Sequence, residues 1–282
     1  MKKIFLLVII LLLLGYGVAH YKATSEQNKQ AREVTPQNSE LTIKVTKDQI
    51  YKGNLLLVNK DHPVPSGYRD SEAVSLSKHK EWMKGFGLLD NSIKLSQSLV
   101  QKFSTMIEAA DKDGVRHFLI NSGYRDAKEQ NELYQQMGAE YAMPAGYSEH
   151  NLGLSLDIGS TRGEMSRAPE GNWLKENAWD YGFILRYQQD KTAITGILYE
   201  PWHFRYVGLP HSVIMRDKNF ALEEYLDYLK EKKTITTTIN HKTYEITYYS
   251  VSKNTTIHMP TNGRYEISGN NMDGVIVTVI LN

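Results

Sequence analysis

Two histidines, an aspartate and a glutamate stand in two short stretches of sequence whose residue types suit a metal ion. His150 and Asp157 are the third and last residues of Ser-Glu-His-Asn-Leu-Gly-Leu-Ser-Leu-Asp, and Glu200 and His203 are the ends of Glu-Pro-Trp-His. A catalytic zinc ion takes three protein ligands and leaves one position for water. Two imidazoles and the Asp157 carboxylate would supply those ligands, which leaves Glu200 free to act on the water. The spacing alone equally permits a histidine and a buried aspartate that only satisfy backbone groups.

Alternating side chains indicate how these residues are positioned. Residues 152–158 are predicted to form a strand whose leucines and isoleucine face the core, while Asp157 lies on the opposite, polar face. Glu200 and His203 are three residues apart, and such positions face opposite sides of a regular strand. Pro201 indicates a local irregularity that would bring the two side chains to one side.

A strand, a turn and a helix are predicted to bring a charged residue to the same region. Residues 115–121 form an apolar, strand-like run, and a turn through Arg125 follows it. Asp126 and Glu129 have the spacing of a capping box, and the helix they open is expected to end at Gly138. This order places Arg125 at the edge of a sheet, beside the N-terminus of a helix.

The remaining periodic segments predict a mixture of helices and strands. Helices are expected over 95–113, 172–181 and 221–232, and strands over 54–58, 183–187, 234–239, 244–249 and 275–280. Asn262-Gly263 and Asp273-Gly274 are typical of hairpin turns. The chain therefore changes to an all-β character near residue 231.

The first 19 residues are predicted to direct the protein to a membrane. Lys2 and Lys3 precede an apolar run over 4–19, slightly shorter than the ~20 residues that span a bilayer. We expect an uncleaved single-pass anchor in the cell membrane, with secretion after cleavage behind Ala19 as the alternative. The basic start keeps the rest of the chain extracytoplasmic in both cases.

Composition divides the chain and excludes several function classes. Four regions are predicted: a membrane segment 1–19, a polar linker 20–48, a catalytic domain 49–230 and a β-rich C-terminal domain 231–282. Lys+Arg 33 against Asp+Glu 32 gives a net charge of +1, so no excess of positive charge points to nucleic acid. The sequence contains no cysteine, which excludes disulfides, thiolate metal sites and a catalytic thiol.

The two motifs closely resemble those of the VanY-type D,D-carboxypeptidases, zinc peptidases of bacterial cell-wall metabolism that are related to VanX-type D,D-dipeptidases. Residues 122–125, Gln130 and residues 142–147 share this resemblance, which covers about 51–228 well. Ser155 departs from the family pattern, because many relatives have alanine there. The resemblance implies an α+β fold, in which helices flank a small antiparallel sheet as in zinc D,D-peptidases and Hedgehog proteins, with a small C-terminal all-β appendix.

The resemblance also implies a role for each residue of the site. His150, Asp157 and His203 would bind one Zn²⁺ per chain, and Glu200 would be the general base that later returns the proton to the leaving amine. Arg125 would contact substrate, through either its terminal carboxylate or the developing oxyanion. From the residues alone, a surface ion pair of Arg125 is the alternative.

Four polar residues are expected to form hydrogen bonds with substrate. They are Gln130, Ser148, Tyr147 and Ser155. Each type also has an ordinary structural role, since a glutamine in a helix is usually solvated and Ser148 could cap its own loop. Trp202 is either a wall of the pocket or a core tryptophan.

The implied function is removal of the C-terminal D-alanine from peptidoglycan precursor stem peptides that end in D-Ala-D-Ala, which contributes to glycopeptide (vancomycin) resistance. The stem peptide and, through the N-terminal segment, the membrane are the expected partners, and no protein partner is inferred. The alternatives are an L,D-carboxypeptidase, a D,D-dipeptidase, or a wall-binding module with structural zinc, although a structural site needs no Glu200. A serine D,D-peptidase would use Ser75-Leu76-Ser77-Lys78, but its Lys-Thr-Gly partner motif is missing.

Overall fold

The computed structural model describes residues 40–68, 70, 72–138, 142–252, 255–260 and 264–281. The predicted membrane segment, most of the predicted linker and the Asn262-Gly263 turn lie outside this part of the chain. Within it, no helix has the length and apolar character to cross a bilayer. Contacts divide the chain into two units: the described residues 40–43 and 258–260 belong to one, and 44–257 with 264–281 to the other.

The strands of the described residues form four sheets. Their bounds are β1 Glu40–Val45, β2 Val74–Ser75, β3 Phe86–Leu88, β4 Lys94–Leu95, β5 Phe118–Ser122, β6 Ser155–Ser160, β7 Phe183–Leu185, β8 His203–Tyr206, β9 Thr234–Ile239, β10 Lys242–Ser250, β11 Thr255–Pro260, β12 Arg264–Gly269 and β13 Gly274–Ile280. The largest sheet has the order β3-β5-β6-β8-β7, and β12-β13-β10-β9 form a second one. The pairs β1-β11 and β2-β4 form the two small sheets.

Helices lie between these strands. Their bounds are α1 Gln97–Lys112, α2 Ala127–Met137, α3 Pro169–Asn177, α4 Thr192–Thr195, α5 His211–Lys218 and α6 Leu222–Lys232. The Ser96 side chain caps α1 by accepting a hydrogen bond from the Leu99 amide. The predicted capping box of Asp126 and Glu129 opens α2, and Gly138 ends it. These caps satisfy amide groups that the first turn of a helix leaves without partners.

The five-stranded sheet confirms the predicted α+β fold and adds one parallel pair. β5, β6, β8 and β7 pair antiparallel, whereas β3 runs parallel to β5. A parallel neighbour requires a long crossover connection, and α1 lies within the connection between these two strands. One apolar stripe of α1, formed by Leu99, Phe103 and Ile107, belongs to the same buried core as the strand residues Phe118 and Leu156. Burial of each such side chain stabilises the fold by about 1.5–3 kcal/mol.

The C-terminal strands form a separate sheet that shares this core. Ile246, Tyr248 and Ile276 lie in the same apolar cluster as Leu222 and Tyr225 of α6. The second unit therefore contains both large sheets. The domain boundary near residue 231 stays a prediction.

The strand predicted over 54–58 is wrong. Leu55, Leu56 and Leu57 are buried but form no regular strand. Side chains replace the partners that a neighbouring strand would supply: Ser268 Oγ accepts from the Leu55 amide, and Arg205 Nη2 donates to the Leu56 carbonyl. An apolar run of this length indicates burial, but it does not identify what satisfies the backbone.

Candidate active site

The pairing of β6 with β8 brings together residues that are far apart in the sequence. Asp157 lies opposite His203 in the register of these strands. His150 lies in a short 3-10 helix, Glu149–Leu152, which Gly153 ends in the left-handed conformation at φ 70° immediately before β6. The three predicted ligand residues therefore converge, and one ligand atom from each lies within 4.8 Å of the others.

The distances and hydrogen bonds of this cluster fit a metal site. His150 Nε2 lies 3.3 Å from Asp157 Oδ2, and His203 Nδ1 lies 3.2 Å from Asp157 Oδ1. Asp157 Oδ1 is buried, yet no hydrogen bond satisfies it. Buried carboxylate oxygens normally have a partner, so this atom is suited to an ion. Two imidazoles and one carboxylate are the donor set of a catalytic zinc site.

The second nitrogen of each imidazole has its own acceptor. His150 Nδ1 donates to the Gly123 carbonyl at 2.7 Å, and His203 Nε2 donates to Glu149 Oε2 at 3.4 Å. With an ion bound, such partners would fix the tautomer, so that His150 Nε2 and His203 Nδ1 face the ion as lone-pair donors. Gly123 is required for this arrangement, since a Cβ there would lie 2.4 Å from the carbonyl oxygen of Lys94.

The pKa values of two residues in the cluster differ strongly from their ordinary values. Burial alone would raise the pKa of Asp157, but His150 and His203 hold it well below its usual range. Burial opposes the charged form of His203, whereas the neighbouring carboxylates of Asp157 and Glu149 raise its pKa to about 9. The two shifts are reciprocal, because the Asp157 carboxylate and the neighbouring imidazoles each stabilise the charged form of the other.

Glu200 is brought beside this space by a turn. Its carbonyl accepts a hydrogen bond from the His203 amide, so Pro201 and Trp202 form the turn. The side chains of Glu200 and His203 therefore lie on the same side. Glu200 Oε2 is 3.7 Å from His203 Nδ1. Burial is the main cause that raises the pKa of Glu200 to about 6, with His203 opposing the shift and Asp157 adding to it. A carboxyl group whose pKa lies near the working pH is suited to exchange protons with substrate and water.

Arg125 lies against the same cluster and is largely buried, with its side chain 20% exposed. Its Nη1 donates to Ser122 Oγ at 3.1 Å and lies 4.0 Å from Asp157 Oδ2. Its Nε is buried and has no acceptor. Burial lowers the pKa of Arg125, whereas Asp157 and Glu200 oppose that shift. The geometry differs from a surface ion pair, and the buried Nε donor is left without a partner.

The four predicted substrate-contacting residues lie in different environments. Gln130 is buried; its Nε2 donates to the Met143 carbonyl and its Oε1 has no partner. Ser148 Oγ accepts from the His150 amide, which is the capping role named as its alternative. Tyr147 is half-buried. Ser155 is fully buried and donates to Glu149, behind His203. Substrate contact by all four stays a prediction.

A buried ionic cluster behind the site was not predicted from the sequence. Glu149 accepts from Arg186 Nε at 2.8 Å and from Arg205 Nη1 at 2.7 Å. Arg186 also donates two hydrogen bonds to Glu223. Glu149 is flanked by two motif residues and Arg205 lies two positions after His203 on one face of β8. These positions beside the metal-binding motifs were the only indication in the sequence that the two residues belong near the site.

An open cleft lies next to the turn between Glu200 and His203, because Pro201 and Trp202 of that turn line it. Its volume is about 310 Å³, and its lining consists of Asn121, Gly159, Ser160, Gly163, Glu164, Met165, Ser166, Pro201 and Trp202. Trp202 is 41% exposed and is therefore a wall residue rather than a core residue. Gly159 follows Asp157 by two positions, so both lie on the same face of β6.

An α+β fold that holds two histidines, an aspartate and a neighbouring glutamate in this way is that of a metal-dependent peptidase. Residues 92–209 match the VanY family, described as D-alanyl-D-alanine carboxypeptidase. A D-alanyl-D-alanine carboxypeptidase of Enterococcus faecium is 58% identical over 99% of this chain and 96% of its own length. The chain thus belongs to the VanY family of D,D-carboxypeptidases.

Solved structures show the same relationship. The vancomycin resistance D,D-dipeptidase VanXYg, in complex with a D-Ala-D-Ala phosphinate analogue, has a TM-score of 0.75 and 33% identity, covering 86% of this chain and 99% of its own. A Glu-to-Ala mutant of the D,D-pentapeptidase VanY from a VanB-type resistance cassette, in complex with Zn(II), has a TM-score of 0.51 and 34% identity. That match covers 61% of this chain and 98% of the other. The carboxypeptidase function predicted from the sequence is confirmed by these comparisons.

Proposed function

We propose that this carboxypeptidase binds one Zn²⁺ through His150, Asp157 and His203 and removes the C-terminal D-alanine from peptidoglycan stem peptides that end in D-Ala-D-Ala. The observation that carries the proposal is the convergence of those three ligand atoms within 4.8 Å, with Glu200 beside them. Asp157 Oδ1, which no hydrogen bond satisfies, supports an ion at this position. A VanY relative in complex with Zn(II) supports zinc as the ion.

Zinc, when bound, supplies Lewis-acid activation of water and of the scissile carbonyl. Glu200 holds the proton that the attacking water loses and delivers it to the leaving amine of D-alanine. Its carboxylate is mostly buried, with the side chain 21% exposed, so the proton is kept from bulk solvent. Tyr187 fixes this residue from the backbone, because its carbonyl accepts from the Glu200 amide at 3.1 Å.

Arg125 binds the terminal carboxylate of the substrate in this proposal. Its guanidinium is mostly buried, its Nε has no acceptor, and its Nη1 lies 4.0 Å from Asp157 Oδ2 of the proposed metal site. An arginine can pair with a carboxylate through two parallel hydrogen bonds, which fixes the substrate's position as well as its charge. Specificity for a free C-terminus follows from that pairing, which is the requirement of a carboxypeptidase.

The cleft beside Trp202 favours a stem peptide over a free dipeptide. Arg125 is joined to His150 ahead of β6 through its backbone amide, whereas the cleft lies beyond Asp157 along that strand. A substrate anchored at Arg125 would therefore extend its preceding residues into the cleft. This cleft of about 310 Å³ leaves room for residues that precede D-Ala-D-Ala in a stem peptide, which a free dipeptide lacks.

The proposed place of action is the outer face of the cell membrane, and the proposed consequence is glycopeptide resistance. The basic start and apolar run of residues 1–19 support an anchor, with secretion after signal cleavage as the alternative. Precursors that end in D-Ala-D-Ala are exposed on that side. Removal of the last residue would eliminate the terminus that vancomycin binds.

Metal analysis combined with D-alanine release tests the proposal. The purified chain is expected to contain one zinc, to release D-alanine from a stem pentapeptide, and to lose this activity on chelation and regain it with zinc. His203→Ala is expected to lose zinc on dialysis. Release that resists chelators, or unchanged zinc content in His203→Ala, would contradict the proposed metal site.

A further inference from the structure

We propose that Glu149 is a positioning residue of the metal site, which fixes the orientation of His203 and, together with Glu223, balances the charge of two buried arginines behind it. This inference rests on the proposed function, because it concerns the ion held by His203. Glu149 does not face the space between the ligands. It acts through the ring nitrogen of His203 that points away from that space.

The two carboxylate oxygens of Glu149 have separate partners. Oε1 accepts from Arg186 Nε at 2.8 Å and from Arg205 Nη1 at 2.7 Å. Oε2 accepts from Ser155 Oγ at 3.1 Å and from His203 Nε2 at 3.4 Å. The carboxylate is fully buried, so water cannot replace any of these partners. Oε1 thus accepts hydrogen bonds from the two arginines, whereas Oε2 can accept one from His203.

The tautomer of His203 follows from this contact. A cation held between His203 and Asp157 requires the lone pair of Nδ1, so the proton of the neutral imidazole lies on Nε2, where the Glu149 carboxylate accepts it. Nδ1 is the nitrogen that lies 3.2 Å from Asp157 Oδ1 inside the cluster. Partners of this kind typically change metal affinity 10- to 100-fold when they are removed.

Charge balance gives Glu149 a second effect. The buried network contains the guanidinium groups of Arg186 and Arg205 and the carboxylates of Glu149 and Glu223. Arg205 is further held by the carbonyls of Asn54 and Leu56, at 3.0 and 2.9 Å, and its charge cannot move away. Without the Glu149 carboxylate, a fixed positive charge would stand uncompensated behind His203 and repel a bound cation.

Glu223 provides a matched control for these effects. It is a mostly buried carboxylate of the same network, with its side chain 14% exposed, and it pairs with Arg186 at 2.7 Å. Its contacts include Arg186 and Asn59 but no histidine among the described residues. Glu223→Gln removes the same charge and the same chemical group as Glu149→Gln. Glu223, however, reaches the metal ligand His203 only through Arg186 and Glu149.

Zinc affinity, measured by competition with a chromogenic chelator on the full-length protein, tests the proposal. Glu149→Gln is expected to weaken zinc binding about 10- to 100-fold, while Glu223→Gln stays within about threefold of wild type. Thermal unfolding of both metal-free variants reports their structural cost. Equal zinc affinity in wild type and Glu149→Gln, or equal losses in both variants, would overturn the positioning role. A wild-type chain that binds no zinc would instead overturn the proposed function.

A measurement on the unmodified protein covers the case in which Glu149→Gln does not fold. Long-range ¹H–¹⁵N spectra of the histidine-labelled, zinc-loaded chain distinguish the two nitrogens of His203. The expected pattern is a proton on Nε2 that exchanges slowly with solvent, with Nδ1 unprotonated. A protonated Nδ1, or an Nε2 proton that exchanges rapidly, would overturn the inference without any variant.

Discussion

Asp157 and His203 face each other across neighbouring antiparallel strands, with Asp157 Oδ1 3.2 Å from His203 Nδ1. The carboxylate and the imidazole are thus held by the backbone pairing of β6 and β8, and His150 approaches from the short helix ahead of β6. Because the ligands come from separate segments, an ion that joins them also links those segments. Metal binding should therefore stabilise the folded chain as well as activate it.

Chelation is expected to lower the thermal stability of the wild-type protein. A ligand at 100 times its dissociation constant stabilises the folded state by about 2.7 kcal/mol, which corresponds to a fall of about 5–10 °C in Tm when it is removed. Differential scanning fluorimetry with and without zinc measures this shift. Asp157→Asn should unfold at nearly the same temperature in both conditions. A zinc-dependent Tm of wild-type size in this variant would contradict Asp157 as a ligand.

Glu200→Gln is expected to separate chemistry from metal binding. Glutamine is similar in shape but cannot take a proton, and positioned general bases contribute about 10²- to 10⁴-fold to rate. The turnover of a stem pentapeptide should fall by that factor, while zinc content measured by atomic absorption stays at the wild-type level. Full activity in this variant would remove Glu200 from the mechanism, and lost zinc would give it a ligand role instead.

The local structure around these residues could be predicted because its signals are local. The capping box of Asp126 and Glu129 involves neighbouring residues and is present as expected. Alternation along β6 correctly separated Leu156 and Ile158 from the polar face of Asp157. The irregularity inferred from Pro201 is the turn that brings Glu200 to His203.

The buried ionic cluster could not be predicted in the same way. Glu149, Arg186 and Arg205 are charged residue types that are usually exposed, and no spacing rule joins them. They meet only because the short helix before β6, the segment after β7 and strand β8 pack together. The segment 54–58 failed for a related reason, since its backbone partners include the side chains of Ser268 and Arg205 rather than a strand.

Arg125 is expected to recognise the free carboxylate of the substrate. Loss of a hydrogen bond to a charged group costs about 1.5–3 kcal/mol, which is about 10- to 150-fold in kcat/KM. Arg125→Ala should show this loss on a stem pentapeptide, and Arg125→Lys should recover part of it, because lysine keeps the charge without the two-pronged geometry.

A substrate whose C-terminus is amidated identifies the group that Arg125 contacts. The wild-type enzyme should lose about as much activity on this substrate as Arg125→Ala loses on the free acid, and the variant should be insensitive to amidation. If amidation and the substitution lower kcat/KM independently and additively, Arg125 acts on the developing oxyanion rather than on the carboxylate.

Trp202→Ala is expected to discriminate between long and short substrates. An indole that is 41% exposed at the cleft offers apolar surface to the residues that precede the scissile bond. Loss of roughly 1–2 kcal/mol of apolar contact would lower kcat/KM for a stem pentapeptide about 5- to 30-fold. Hydrolysis of free D-Ala-D-Ala should change little. Leu198→Ala, at an apolar residue that is 65% exposed and lies outside the cleft lining, is the control. Equal losses on both substrates would exclude the cleft as a stem-peptide subsite.

His211 is expected to make the fold sensitive to acid. It is buried between α6 and the C-terminal sheet, with Nδ1 2.7 Å from the Tyr225 hydroxyl oxygen and Nε2 3.1 Å from Thr278 Oγ1. Burial lowers its pKa to about 3, from the ordinary 6.5. Between these two pKa values, His211 therefore binds a proton in the unfolded chain but not in the folded chain. The free energy of unfolding is fully retained above pH 6.5 and falls as the pH drops toward 3, by about 2 kcal/mol between pH 6.5 and 5.

Urea unfolding of the metal-free protein between pH 5 and 7.5 measures this dependence, because chelation removes the separate effect of protons on the zinc ligands. His211→Gln should be less stable at pH 7.5, where it loses a hydrogen bond, but its free energy of unfolding should decline less toward pH 5. His241→Gln, at an exposed turn between β9 and β10, is the matched control and should keep the wild-type slope. An unchanged slope in His211→Gln would show that other groups cause the acid sensitivity, and that His211 is protonated equally in both states.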